Sequence, residues 1–139
     1  MAFAGMNYMA IVVAAVFGFL FGAIWYGAFG KAWLSALGKT KEQLAASGSQ
    51  KIVPFIVSFF CLLVMAFVLA GTIGHLGPGQ VTPRNGAISG AFVWAGFILT
   101  TTLTNNAFER AKPSLTLINA GHWLGVLLIQ GLIIGWMGV

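Results

Sequence analysis

Residues 7–30, NYMAIVVAAVFGFLFGAIWYGAFG, run for 24 positions without one charged side chain. About 20 mostly apolar residues suffice for a helix to cross a hydrocarbon core roughly 30 Å thick. Trp25, Tyr26 and Trp33 gather near the end of this stretch. Amphipathic rings of that kind favour the membrane interface, where an apolar face and a polar edge are both satisfied. The stretch therefore reads as a transmembrane helix.

The remainder of the chain repeats the pattern three times. Residues 52–74 form a second apolar run, with Pro54 in its first turn, where a missing N–H costs little. Residues 87–108 form a third and 115–137 a fourth. Four such spans with short connections use nearly all of the 139 residues and leave no room for a second domain. Composition agrees: 59% of residues are hydrophobic, 6% are charged, and the mean hydropathy is +0.95. A soluble domain carries about 25% charged residues. The predicted fold is an all-α integral membrane protein, one four-helix transmembrane domain over residues 1–139.

The connections differ in character. Residues 31–51 are the longest polar stretch. KAWLSALG within it reads as a short interfacial amphipathic helix between the first two spans, with Trp33, Leu34 and Leu37 on one side and Gly38 as its stop. Thr40 followed by Gln43 has the spacing of a capping box for a further turn, which Ser47, Gly48 and Ser49 then break. Residues 75–86, HLGPGQVTPRNG, are a turn-rich connection.

Seven Lys or Arg against two acids give a net charge of +5. On a soluble chain this would suggest nucleic acid as a partner. Here six of the seven cations lie in two connections: Lys31, Lys39, Lys41 and Lys51 in the first, Arg110 and Lys112 in the third. Only Arg84 lies in the second. That asymmetry follows the positive-inside rule and predicts connections one and three in the cytoplasm, with both termini on the periplasmic side of a bacterial inner membrane. Nucleic acid is not an expected partner; membrane lipids are. Met1 to Gly5 carry no positive charge, so no cleaved signal peptide is expected. Cys61 is the single cysteine and sits in an apolar run, where it reads as a small packing residue.

Small residues recur four apart at Gly18 and Gly22, Gly86 and Gly90, Gly121 and Gly125, and Gly131 and Gly135. Such pairs let helix backbones approach closely in lipid, either within the chain or between copies of it. The two halves of the chain show no residue-level similarity, so an inverted-repeat transporter has no support.

Polar side chains concentrate at one depth. Tyr26 and Lys31 lie at the end of the first span, Asn105 and Glu109 at the end of the third, and Asn119 and His122 in the opening turns of the fourth. Thr100, Thr101, Thr102 and Thr104 add hydroxyls beside them. A polar group without a partner in lipid costs several kcal/mol. These six residues are therefore the candidate polar pocket, with Glu109 and His122 as its titratable members. The same positions describe, more readily still, a hydrogen-bond network that ties helices one, three and four together.

Catalytic and cofactor signals are absent. His75 and His122 fall near opposite ends of their spans, too far apart to clasp one haem, and no Cys/His cluster has metal-ligand spacing. No cofactor or metal is expected. The two acids, Glu42 and Glu109, lie in different connections, and no nucleophile elbow, HExxH or phosphate loop is present. No catalytic residues are expected.

The stretch IWYGAFGKAW, residues 24–33, resembles the end of the first helix in the bacterial membrane family known as domain of unknown function 1761. TNNAFERAKPSLTLINAGHWL, residues 104–124, resembles its second signature, roughly N-x-x-F-E-x-R-P followed by L-x-x-I-N-x-G-[YH]. Asn105, Phe108, Glu109, Pro113, Leu117, Ile118, Asn119, Gly121 and His122 match in type and order. The family more often has a shorter E-G-R-P; here Lys112 precedes Pro113 and Arg110 is additional. The resemblance implies four spans and a shared feature around Tyr26, Lys31, Glu109 and Asn119, and it implies no activity. The expected function is that of a structural or accessory membrane protein, self-associating or joined to a larger complex. The alternatives are a small transporter or channel subunit with a cytoplasm-facing pocket and, less favoured, a lipid- or cofactor-binding enzyme.

Overall fold

A computed structural model describes residues 5–45 and 48–139. Among them every regular element is helical, and four helices are long and apolar enough to cross a membrane.

Helix α1 spans Tyr8–Leu37. Asn7 caps it, its side-chain oxygen accepting from the Ala10 N–H at 3.1 Å. Gly38, at φ 68°, closes it, with Gly38 N–H on the Ser35 carbonyl and Lys39 N–H on the Leu34 carbonyl. This is a Schellman turn. Thirty residues make about 45 Å of helix, well beyond a hydrocarbon core. The expected amphipathic segment around Trp33, Leu34 and Leu37 is thus no separate interfacial helix but the last two turns of α1. Lys31 stands on this helix and not in a loop.

After Gly38 comes α2, the single turn Lys41–Leu44. The predicted capping box is present: the Thr40 N–H donates to Gln43 Oε1 at 2.8 Å, and the Gln43 N–H to Thr40 Oγ1 at 3.2 Å. Ser47, one of the residues expected to break this turn, lies outside the described residues. Gly48 and Ser49, the other two, begin the 3-10 turn Gly48–Lys51. Helix α3 then runs over Val53–Gly74, with Pro54 in its first turn.

The third long helix starts four residues before its expected limit and covers Pro83–Phe108. Thr82 caps it by accepting from the Asn85 N–H at 3.2 Å, and Pro83 takes the first turn. It has three parts: α4 over Pro83–Val93, a π-helical segment over Trp94–Leu99, and α5 over Thr100–Phe108. Helix α6 spans Pro113–Met137.

Two bonds fix which ends lie together. The Asn7 side-chain amide donates to the Met137 carbonyl at 3.0 Å, so both termini share one end. The Lys112 ammonium donates to the Ser35 carbonyl at 3.3 Å, so the two basic connections share the other. These are the terminal end and the basic end below.

Helix α6 is the most enclosed of the four, with 44% of its most apolar 18-residue stretch buried against 17–28% in the others. It packs between α1 and α4, and the main core gathers Ile11, Ala14, Leu69, Ile73, Leu127 and Ile134 around it. All eight glycines of the four predicted pairs sit at contacts inside the chain. Gly86 meets the Gly131 backbone, Gly90 meets that of Leu127, and Gly135 meets that of Thr82. Only residues without a Cβ allow so close an approach. The outer faces carry large apolar side chains, including Phe92, Phe108, Leu117 and Trp136, each more than 75% exposed.

Candidate functional site

Three of the six candidate residues come together. On α1, the Tyr26 hydroxyl donates to Asn119 Oδ1 on α6 at 2.7 Å. One turn further along α6, the His122 ring lies 5.0 Å from that of Tyr26 and 4.6 Å from that of Trp123, and it stacks on Phe21 at 6.1 Å. The absence of a Cβ at Gly22 makes room for His122: a methyl group there would stand 2.9 Å from Nε2. Trp33 closes the other side of Tyr26, edge-on at 5.7 Å.

The other three do not join them. Lys31, Asn105 and Glu109 are exposed. The expected convergence of all six fails because the third long helix presents Asn106, not Asn105, to α6. The Asn106 amide donates to Thr116 Oγ1 at 2.7 Å. Glu109 caps α5 at the surface of the basic end. Three of the four threonines expected beside the pocket turn back on their own helix: Thr100 donates to the Gly96 carbonyl at 2.8 Å, Thr101 to that of Phe97, and Thr104 to that of Thr100 at 2.9 Å.

Several polar contacts escaped the sequence reading. The Trp25 indole N–H donates to the Ile118 carbonyl at 3.1 Å, and the Trp94 indole N–H to the Ala120 carbonyl at 2.8 Å. Two tryptophans from different helices thus grip neighbouring carbonyls of α6. Trp25 had the look of an interface anchor, yet it turns inward. Gln130 is fully buried, and its amide donates to the Leu62 carbonyl on α3 at 3.0 Å. A glutamine in the middle of an apolar span is the signal that could have drawn attention to it. His122 Nδ1 and Gln130 Oε1 are buried without a hydrogen-bonding partner from the protein.

The chemistry available to this arrangement is narrow. His122 contacts aromatic rings and the Gly22 backbone, with no carboxylate to orient it and no nucleophile to activate. His75, whose Nδ1 lies 2.7 Å from the Gly71 carbonyl, belongs to the terminal end. Among the described residues no three His, Cys, Asp or Glu side chains group to hold a metal ion. What the polar side chains accomplish is to link α6 to α1, to α3 and to both halves of the third long helix.

No curated protein and no solved structure matches this chain. A family model described as Protein of unknown function (DUF1761) matches residues 9–135, and the chain belongs to that family.

Proposed function

We propose that this chain is an integral protein of the bacterial inner membrane, a four-helix bundle with a structural or accessory role, self-associating or joined to a larger complex. The observation that carries this reading is how the polar side chains inside the spans are used. Tyr26, Trp25, Trp94, Asn106 and Gln130 each donate to a neighbouring helix. In lipid, where polar groups must find internal partners, such bonds serve assembly and leave little for a substrate. The two acids, Glu42 and Glu109, are both exposed. Proton relays within membranes use Asp, Glu or His; the spans hold no carboxylate, and His122 is packed among the rings of Phe21, Tyr26 and Trp123.

Membrane embedding is supported by four apolar helices and by a girdle of exposed Phe, Leu and Trp that a water-facing surface would not carry. The basic connections lie together at one end, which by the positive-inside rule supports a cytoplasmic basic end and periplasmic termini.

Extraction in a mild detergent, followed by mass measurement with light scattering, tests the accessory role. An assembly larger than the 14.7 kDa chain, or a stoichiometric co-purifying protein, is the expected result. A stable monomer without partners would overturn it.

A further inference from the structure

The third long helix and α6 touch at the terminal end and part at the basic end. Gly86 and Gly90 hold the backbones together over α4. Beyond the π-helical Trp94–Leu99 the two helices separate and leave an open groove of about 520 Å³. Trp94 and Leu124 lie at its inner end, with Leu103 and Ala107 on one wall and Leu117 on the other. From Leu124 to Pro113 the groove follows α6 for about 16 Å, close to one leaflet of a hydrocarbon core about 30 Å thick. Its lining is apolar except at the basic end, where Asn106 bridges to Thr116.

The connection that closes that end is built around a cation. Arg110 is the one non-glycine with positive φ, at 55°, among the described residues. Its N–H donates to the Ala107 carbonyl and the next, from Ala111, to that of Asn106, which makes a Schellman turn. Glycine holds this position without strain. A strained arginine next to Ala111, which lines the groove, points to something the cation meets there. Lys112 stands two residues on, its exposed ammonium also donating to the Ser35 carbonyl of α1 at 3.3 Å, and Glu109 offsets one of the two positive charges.

We propose that this groove is a site for one anionic phospholipid, with an acyl chain along the wedge and its phosphate at Arg110 and Lys112. The proposal rests on the membrane reading of the chain and is independent of an accessory role. Basic pockets between transmembrane helices on the cytoplasmic side bind anionic headgroups. The leaflet-long apolar wall distinguishes this site from one for free phosphate.

The test is native mass spectrometry of the protein released from nanodiscs of equal parts phosphatidylglycerol and phosphatidylcholine. Wild type retains one phosphatidylglycerol in preference to phosphatidylcholine. R110Q and K112Q each lower that preference about fivefold, and E109Q raises it. A107W, which fills the groove, abolishes retention of either lipid. R110Q and E109Q alter exposed side chains, so their opposite signs decide the matter even if A107W, or K112Q with its lost bond to Ser35, fails to fold. Equal retention of both lipids by wild type, insensitivity to the charge variants, or unchanged retention in a folded A107W would overturn the site while leaving the membrane reading intact. Displacement of the lipid by millimolar glycerol phosphate would assign the cations to free phosphate and overturn the lipid proposal. Failure of the chain to enter nanodiscs at all would overturn both.

Discussion

Gly86 on α4 faces Gly131 on α6 so closely that a Cβ on either would overlap the carbonyl oxygen of the other. Gly90 against Leu127 and Gly135 against Thr82 extend the same seam along both helices. Lipid tails are as apolar as leucine, so close backbone packing supplies attraction that hydrophobic burial cannot. The seam also sets the geometry of the groove, because the helices can diverge only where the glycines end.

The seam should therefore be intolerant of a single methyl group. Gly86→Ala and Gly131→Ala should each destabilise the protein by about 1–3 kcal/mol, the usual cost of overpacking. Gly27, with no atom within 4 Å of an added Cβ, serves as control. Gly27→Ala, inside α1, should leave stability unchanged or raise it by up to about 1 kcal/mol, because alanine loses less freedom in a helix. Unfolding titrations in mixed micelles give both numbers, and equal effects at Gly27 and Gly86 would show that the seam is not close-packed.

The Tyr26–Asn119 bond joins α1 to α6 near the basic end. Interhelical hydrogen bonds in membranes average about 0.6 kcal/mol in double-mutant cycles, because the unfolded chain also finds partners in the bilayer. A cycle of Tyr26→Phe and Asn119→Ala should give a coupling of that size. A coupling of zero would mean that the aromatic contacts around His122, and not this bond, hold the two helices.

How much of this was legible follows from what each signal depends on. The four long apolar helices were readable because about 20 mostly apolar residues in a row meet the length that a bilayer would require. The Thr40–Gln43 box was readable because it is local. The end of α1 was misjudged at Lys31, since a charge marks the edge of an apolar run and not the end of a helix. The start of α4 was hidden because a turn-rich segment disguised Thr82 and Pro83, which are also a cap and a first turn. The choice of Asn105 over Asn106 failed for a deeper reason. Counted at about 100° per residue from Gly90, Asn105 lies roughly 60° from the face towards α6 and Asn106 roughly 160°. The π-helical Trp94–Leu99 advances less per residue and brings Asn106 round towards α6, within reach of Thr116. Nothing in WAGFIL announces a π segment.

Orientation can be read with single cysteines. Cys61 is the one native cysteine, and Cys61→Ala supplies the background. Lys41→Cys at the basic end should be protected from a membrane-impermeant maleimide in intact cells and labelled after permeabilisation. Gln80→Cys, in the connection between α3 and α4, should be labelled in both. The reverse pattern would invert the proposed topology.

Arg110→Gly separates folding from lipid binding in one substitution. The arginine sits at φ 55°, where a side chain costs about 1–2 kcal/mol relative to glycine. Glycine loses more freedom on folding, which gives back roughly half of that. The net expectation is a variant up to about 1 kcal/mol more stable than wild type, measured as a higher midpoint of unfolding in detergent. If the groove binds an anionic lipid through Arg110, the same variant loses preference for phosphatidylglycerol in nanodiscs. A gain in stability together with a loss in lipid preference is the signature of a strained residue kept for what it binds. A loss of stability would mean instead that the arginine side chain holds the turn through contacts of its own, and the strain would then carry no functional meaning.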